Sequence, residues 1–167
     1  MTSDPQWLLE GDLRTTLSTT WPDYRNPLVL VVEDHADTRE MLRTLLSIFG
    51  CCVIEAEDGE RALNVAEHVR PDLILLDTKI PRLDGLALTR LIRSHPSLRD
   101  VPIVAVTGNA APQFQVEALT AGCNHCLVKP VDFGKLEEVI RGIVRSKRRP
   151  QYSMVVRSRG VMCCARS

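Results

Sequence analysis

The sequence predicts an α/β domain on a five-stranded parallel sheet, and three observations carry that expectation. Short apolar runs alternate with amphipathic helical patterns from residue 28 to about residue 145. The runs are continuous rather than alternating, as in strands buried on both faces. Polar residues of complementary chemistry follow the runs, where the strand ends of a parallel sheet converge on one crevice.

Each element has a local reason. Residues 28–32 are a continuous apolar strand. Asp37 and Glu40 have the spacing of a capping box, so a helix is expected from there. Met41, Leu42, Leu45, Leu46 and Phe49 recur at helical spacing, and Gly50 ends the run. Residues 51–56 are a second strand. Asp58-Gly59 opens a helix over 58–69 that presents Ala62, Leu63, Val65 and Ala66. Pro71 interrupts, and residues 72–76 form the third strand. Pro81 and Gly85 bracket a loop, before a helix carrying Leu86, Leu88, Leu91 and Ile92. Pro96 ends it, and 102–106 is the fourth strand. A helix over 112–121 stops at Gly122, and 126–128 is the fifth strand. Asp132 caps a last helix with Phe133, Leu136, Val139, Ile140 and Ile143.

Right-handed crossovers restrict such a chain to few topologies. The flavodoxin-like (βα)5 three-layer sandwich, strand order 2-1-3-4-5, brings the ends of strands one and three together. Residues 28–146 are expected to form this domain. Residues 1–27 read as a weakly structured extension, with an amphipathic stretch at Trp7, Leu8, Leu9, Leu13 and Leu17. Residues 147–167 read as a flexible basic tail.

Composition narrows the function classes. The apolar fraction of 44% and charged fraction of 25% are ordinary for a globular protein. Residues 1–140 hold 13 of the 21 basic and all 21 acidic side chains, an acidic balance that does not suit phosphate-backbone binding. Nucleic acid is therefore an unlikely partner, although the tail carries eight Lys/Arg after residue 140. No apolar stretch reaches membrane-spanning length, and no signal peptide precedes the domain, so a cytoplasmic location is expected. Six cysteines in a reducing compartment default to free thiols. Cys123 and Cys126 match C-x-x-C, but no second ligand pair accompanies them, and they read as small core residues.

The strand-end residues are Glu33 and Asp34 after strand one, Asp77 after strand three, Thr107 after strand four and Lys129 after strand five. Three acids, a hydroxyl and an ammonium can hold a divalent cation and receive a phosphoryl group. With Asp77-Thr-Lys-Ile-Pro-Arg-Leu-Asp-Gly85, Thr107-Gly108 and Val128-Lys129-Pro130, the chain from about Leu28 to Arg145 resembles a receiver domain of a two-component response regulator, similar to the chemotaxis regulator.

The resemblance implies that Asp77 accepts the phosphoryl group. It implies Mg²⁺ (or Mn²⁺) held by Glu33, Asp34, Asp77 and the Lys79 backbone carbonyl, an oxygen set that a hard cation prefers. Lys129 would pair with Asp77 and then with phosphoryl oxygen, and Thr107 would swing in to hydrogen-bond that group. Such a protein is a signalling switch rather than a conventional enzyme, with self-catalysed phosphotransfer and slow autodephosphorylation. Its expected partners are a histidine kinase or histidine phosphotransfer protein and a downstream protein target, with no membrane contact; homodimerisation is left open. The stretch after Val144 is too short for a full output domain, so output by protein contact is expected.

Two residues depart from the family pattern. Cys126 stands where the family carries the aromatic of its switch, so the response is expected to fall on Thr107 and the loop to Pro112. Lys79 puts a second ammonium beside the site, shielding an acylphosphate, repelling the cation, or pointing to solvent. Rival readings fail on single residues. A haloacid-dehalogenase phosphatase needs an acid where Lys79 stands, a flavodoxin needs a phosphate loop where Glu33-Asp34 would repel it, and the P-loop motif is absent. The alternative that remains is a receiver-shaped binding module that works without phosphorylation.

Overall fold

A computed structural model describes residues 26–147. The expected N-terminal amphipathic stretch, the basic tail and Cys163-Cys164 lie outside those residues. Five strands and five helices alternate: β1 (Leu28–Val32), α1 (Ala36–Ile48), β2 (Cys52–Ala56), α2 (Gly59–Val69), β3 (Leu73–Asp77), α3 (Gly85–Ser94), β4 (Ile103–Thr107), α4 (Pro112–Ala121), β5 (His125–Val128) and α5 (Phe133–Lys147). All strand pairs are parallel, and the order is β2-β1-β3-β4-β5, so the flavodoxin-like expectation holds.

Period-two alternation splits the core into two layers. Leu30, Val32, Ile74, Leu76, Ile103 and Ala105 face α2, α3 and α4. Val29, Val31, Leu73, Leu75, Val104 and Val106 face α1 and α5, against Leu42, Leu46, Leu136 and Ile140. The central strands β3 and β4 are buried throughout, which is why they read as unbroken apolar runs.

One boundary differs in cause. Helix α1 begins at Ala36 with His35 as N-cap, and Asp37 lies in its first turn. The capping-box spacing is present, but β1 delivers the chain to helical geometry earlier, and Arg39 N already donates to His35 O at 2.9 Å. Glu40 pairs with Arg43 rather than reaching back to a cap. Asp58 and Asp84 do cap α2 and α3, accepting from Arg61 N and Ala87 N. Asp132 likewise accepts from Lys135 N at 2.9 Å. Among the described residues, no helix is long and apolar enough to cross a membrane.

Candidate functional site

The C-terminal ends of β1, β3, β4 and β5 meet at one edge of the sheet, because the register places Val32 beside Leu76, Asp77 beside Val106 and Thr107 beside Val128. Glu33, Asp77 and Thr107 are all buried there, at 1%, 6% and 0% exposure. Lys129 joins them. Its Nζ donates to Asp77 Oδ2 at 2.5 Å and to Glu33 Oε2 at 3.0 Å, across 52 and 96 residues of sequence. The Lys129–Pro130 peptide is cis.

Each side chain has a local anchor. Asp77 Oδ1 accepts from Lys79 N at 2.8 Å, which ties the start of the β3–α3 loop to the Asp77 carboxylate. Lys79 itself is exposed, so its side chain lies toward solvent. Gly85 closes the same loop: a Cβ there would lie 2.8 Å from both Asp77 O and Thr78 Cα, so only glycine lets α3 start against this strand. Arg82 adopts the left-handed region at φ 66° and reaches Asp58 Oδ2 at 3.1 Å, fastening the loop to the start of α2. Thr107 Oγ1 accepts from Asn109 N at 3.0 Å and so sets the first turn of the β4–α4 loop.

Two groups at the site carried no signal of their own in the sequence. Arg39 Nη1 donates to Glu33 O at 2.7 Å and Asp34 O at 3.3 Å, holding the backbone of both acids, while its Nε lies 3.7 Å from Glu55 Oε2. His35 Nδ1 lies 2.8 Å from Asp34 Oδ1 and 3.2 Å from Glu33 Oε1. The only hint of His35 was its place beside two acids; Arg39 showed merely as a polar position on α1.

The electrostatics follow from this crowding. Burial pushes the Glu33 carboxyl above its usual range, with the neighbouring Asp77 charge adding to the rise and the Lys129 hydrogen bond opposing it. Burial works against the Lys129 ammonium, but hydrogen bonds to Asp77 and Glu33 outweigh it and hold Lys129 above its usual value. The Asp34 hydrogen bond, then that of Glu33, raises the His35 imidazole.

Ligand atoms of Glu33, Asp34 and His35 lie within 4.8 Å of one another. Asp77 is tied to this group through Lys129 rather than belonging to it. The carboxylates are hard oxygen donors of the kind a small divalent cation takes, whereas the imidazole suits softer metals. Cys126 is half-buried and packs against the α2–α3–α4 layer, and Cys123 lies buried with Sγ 3.6 Å from Thr89 Oγ1. Burial raises both thiols, and no metal-ligand group among the described residues includes them.

Comparison with known proteins adds to this geometry. The sequence profile of the response regulator receiver domain matches residues 29–141. The "Probable transcriptional regulator ycf27" of Guillardia theta is 34% identical over 134 residues, covering 80% of this chain and 52% of that protein. The chain thus spans about half the length of such curated relatives. Their naming as transcriptional regulators gives no support to the expectation that nucleic acid is an unlikely partner. The chemotaxis response regulator CheY4 of Vibrio cholerae superposes with a TM-score of 0.68 at 28% identity, covering 71% of this chain and 99% of that one. The receiver domain of the sensor histidine kinase PA1611 from Pseudomonas aeruginosa, which has a magnesium ion coordinated in its active-site cleft, superposes at 0.68 with 34% identity, covering 72% and 99%.

Proposed function

The chain belongs to the response regulator receiver domain family, and from that membership we propose that it is a phosphorylation-dependent signalling switch with Asp77 as phosphoryl acceptor. The observation that carries the proposal is the Lys129 bridge. It holds a buried carboxylate, a second buried acid and an ammonium in one contact set at the mouth of the sheet. A carboxylate attacks phosphorus poorly unless charge is neutralised on both sides.

In this reading, Asp77 Oδ attacks the phosphorus of a phosphohistidine or of a small acyl phosphate. The P–O bond to Asp77 forms as the bond to the leaving nitrogen or oxygen breaks, and the electron pair leaves with the donor group. When bound, Mg²⁺ would be held by Glu33, Asp34, Asp77 and the Lys79 carbonyl and would supply charge neutralisation at the phosphoryl oxygens. Lys129 Nζ moves from carboxylate to phosphoryl oxygen while staying within the same pocket. Thr107 turns its hydroxyl toward the phosphoryl group, and the loop to Pro112 follows. Arg39 holds the backbone of Glu33 and Asp34 through their carbonyls. Output then passes to a protein target, or to nucleic acid through a partner segment, and the phosphodonor is a histidine kinase or phosphotransfer protein.

Intact-mass measurement after incubation with acetyl phosphate tests the acceptor. Wild type gains one phosphoryl group with Mg²⁺ and none with EDTA, and Asp77→Asn gains none. Equal labelling of Asp77→Asn refutes the assignment. Absence of labelling in wild type with every donor favours a binding module that works without phosphorylation.

A further inference from the structure

Thr78 carries a hydroxyl that the resting molecule leaves idle. The residue is 3% exposed, and its Oγ1 is buried without a hydrogen-bond partner among the described residues. Its backbone is fully engaged: Thr78 N donates to Val106 O at 3.0 Å, and Thr78 O accepts from Gly85 N at 3.3 Å. The close approach of Gly85 fixes the residue further. The hydroxyl is thus buried away from solvent, and a buried hydroxyl without a partner is destabilising.

What lies beside that hydroxyl follows from register. Asp77 is the partner of Val106, so the next step along both chains sets Thr78 beside Thr107. Alternation places Thr78 on the face of Ile74 and Leu76, and Thr107 on the face of Ile103 and Ala105, which is the α2–α3–α4 layer in both cases. Neighbouring strands run about 4.8 Å apart, so the two threonines are adjacent. Thr107 is fully buried and holds Asn109 N. Of two neighbouring hydroxyls, one anchors the β4–α4 loop and the other, among the described residues, anchors nothing.

We propose that Thr78 is a positioning residue for the switch: when Thr107 turns toward a phosphoryl group on Asp77, Thr78 Oγ1 accepts the hydrogen bond that Asn109 N gives up. The proposal rests on the acceptor role of Asp77 argued above. No covalent bond changes, and donors and acceptors balance. The Thr107 O–H goes to a phosphoryl oxygen, and the Asn109 N–H goes to Thr78. Both buried threonines are satisfied together only in the turned state. A group satisfied in one state alone shifts the equilibrium toward that state by the difference.

Thr78→Val in the full chain removes the hydroxyl and keeps the branched shape, and Thr78→Ser keeps the hydroxyl. In metal-free buffer without phosphodonor, Thr78→Val is expected to raise Tm by roughly 3 to 6 °C, because it deletes an unsatisfied buried group. With Mg²⁺ and beryllofluoride, its amide shift changes over residues 107–112 should fall to about half of wild type or less, while Thr78→Ser retains them. Intact mass after acetyl phosphate should show one phosphoryl group on all three proteins. A lowered or unchanged Tm for Thr78→Val, wild-type loop shifts in that variant, or a serine variant that behaves like valine overturns the role of Thr78 while leaving the acceptor in place. A wild-type protein that takes no phosphoryl group overturns the acceptor and this role with it, and the mass measurement separates the two failures.

Discussion

Replacing Lys129 by Met removes the ammonium that joins Asp77 to Glu33, with a side chain of similar reach. Asp77 and Glu33 are 6% and 1% exposed, so two buried carboxylates then face each other without the ammonium between them. Breaking a buried pair by removing one partner costs about 3 to 5 kcal/mol. The Lys129 side chain is 32% exposed, and solvent screening reduces that figure to about 1.5 to 3 kcal/mol. The pH dependence has a definite sign. Glu33 already sits above the reference value of 4.5, and loss of Lys129 raises it further. A carboxyl whose folded value exceeds its unfolded value binds more protons when folded, so the deficit is greatest well above its folded value and shrinks as the pH falls toward 4.5. Urea denaturation followed by circular dichroism at pH 7.5 and pH 5, with EDTA or with Mg²⁺, measures this. Lys129→Met should lose most stability at pH 7.5 in EDTA and recover part of it at pH 5 or with Mg²⁺. A loss that is the same in all four conditions, or no loss at all, refutes the reasoning, because packing alone would then explain Lys129.

Asp34→Ala should abolish phosphoryl incorporation while changing stability by less than about 1 kcal/mol in metal-free buffer, since Asp34 is partly exposed and caps no helix; a large drop in Tm would mark it as a structural residue. Gly85→Ala drives a methyl group into Asp77 O and Thr78 Cα at 2.8 Å, so it should cost about 1 to 3 kcal/mol and slow labelling of Asp77; wild-type stability and labelling would show that the loop yields freely. Cys126→Tyr should enlarge the amide shift response to beryllofluoride along β5 and α5, because it restores a bulky group to a half-buried position in the α4 layer; an unchanged pattern would remove Cys126 from the account of the switch.

Residues whose role depends on strand position were legible from the sequence, because alternation and topology are periodic properties. Glu33, Asp77, Thr107 and Lys129 could each be placed at a strand end, and parallel order alone brings those ends together. Side-chain reach was not legible. Arg39 serves the site by turning back across one helical turn to two carbonyls, and no spacing rule distinguishes it from a solvated arginine. The capping-box pattern at Asp37 and Glu40 misled for a related reason: the motif is local, whereas the start of α1 was set by how β1 ends and by His35. The idle hydroxyl of Thr78 was equally hidden, since a threonine after an acid says nothing about whether its oxygen finds a partner.

The Lys129 bridge has a consequence for how the pocket responds to its surroundings. On the proposed reading, a metal ion drawn to these acids would meet an ammonium tethered to the same chain, whose effective concentration is that of an intramolecular ligand. Competition of that kind would weaken net affinity for the ion. The site would fall back on its own counterion, Lys129, whenever the ion departs.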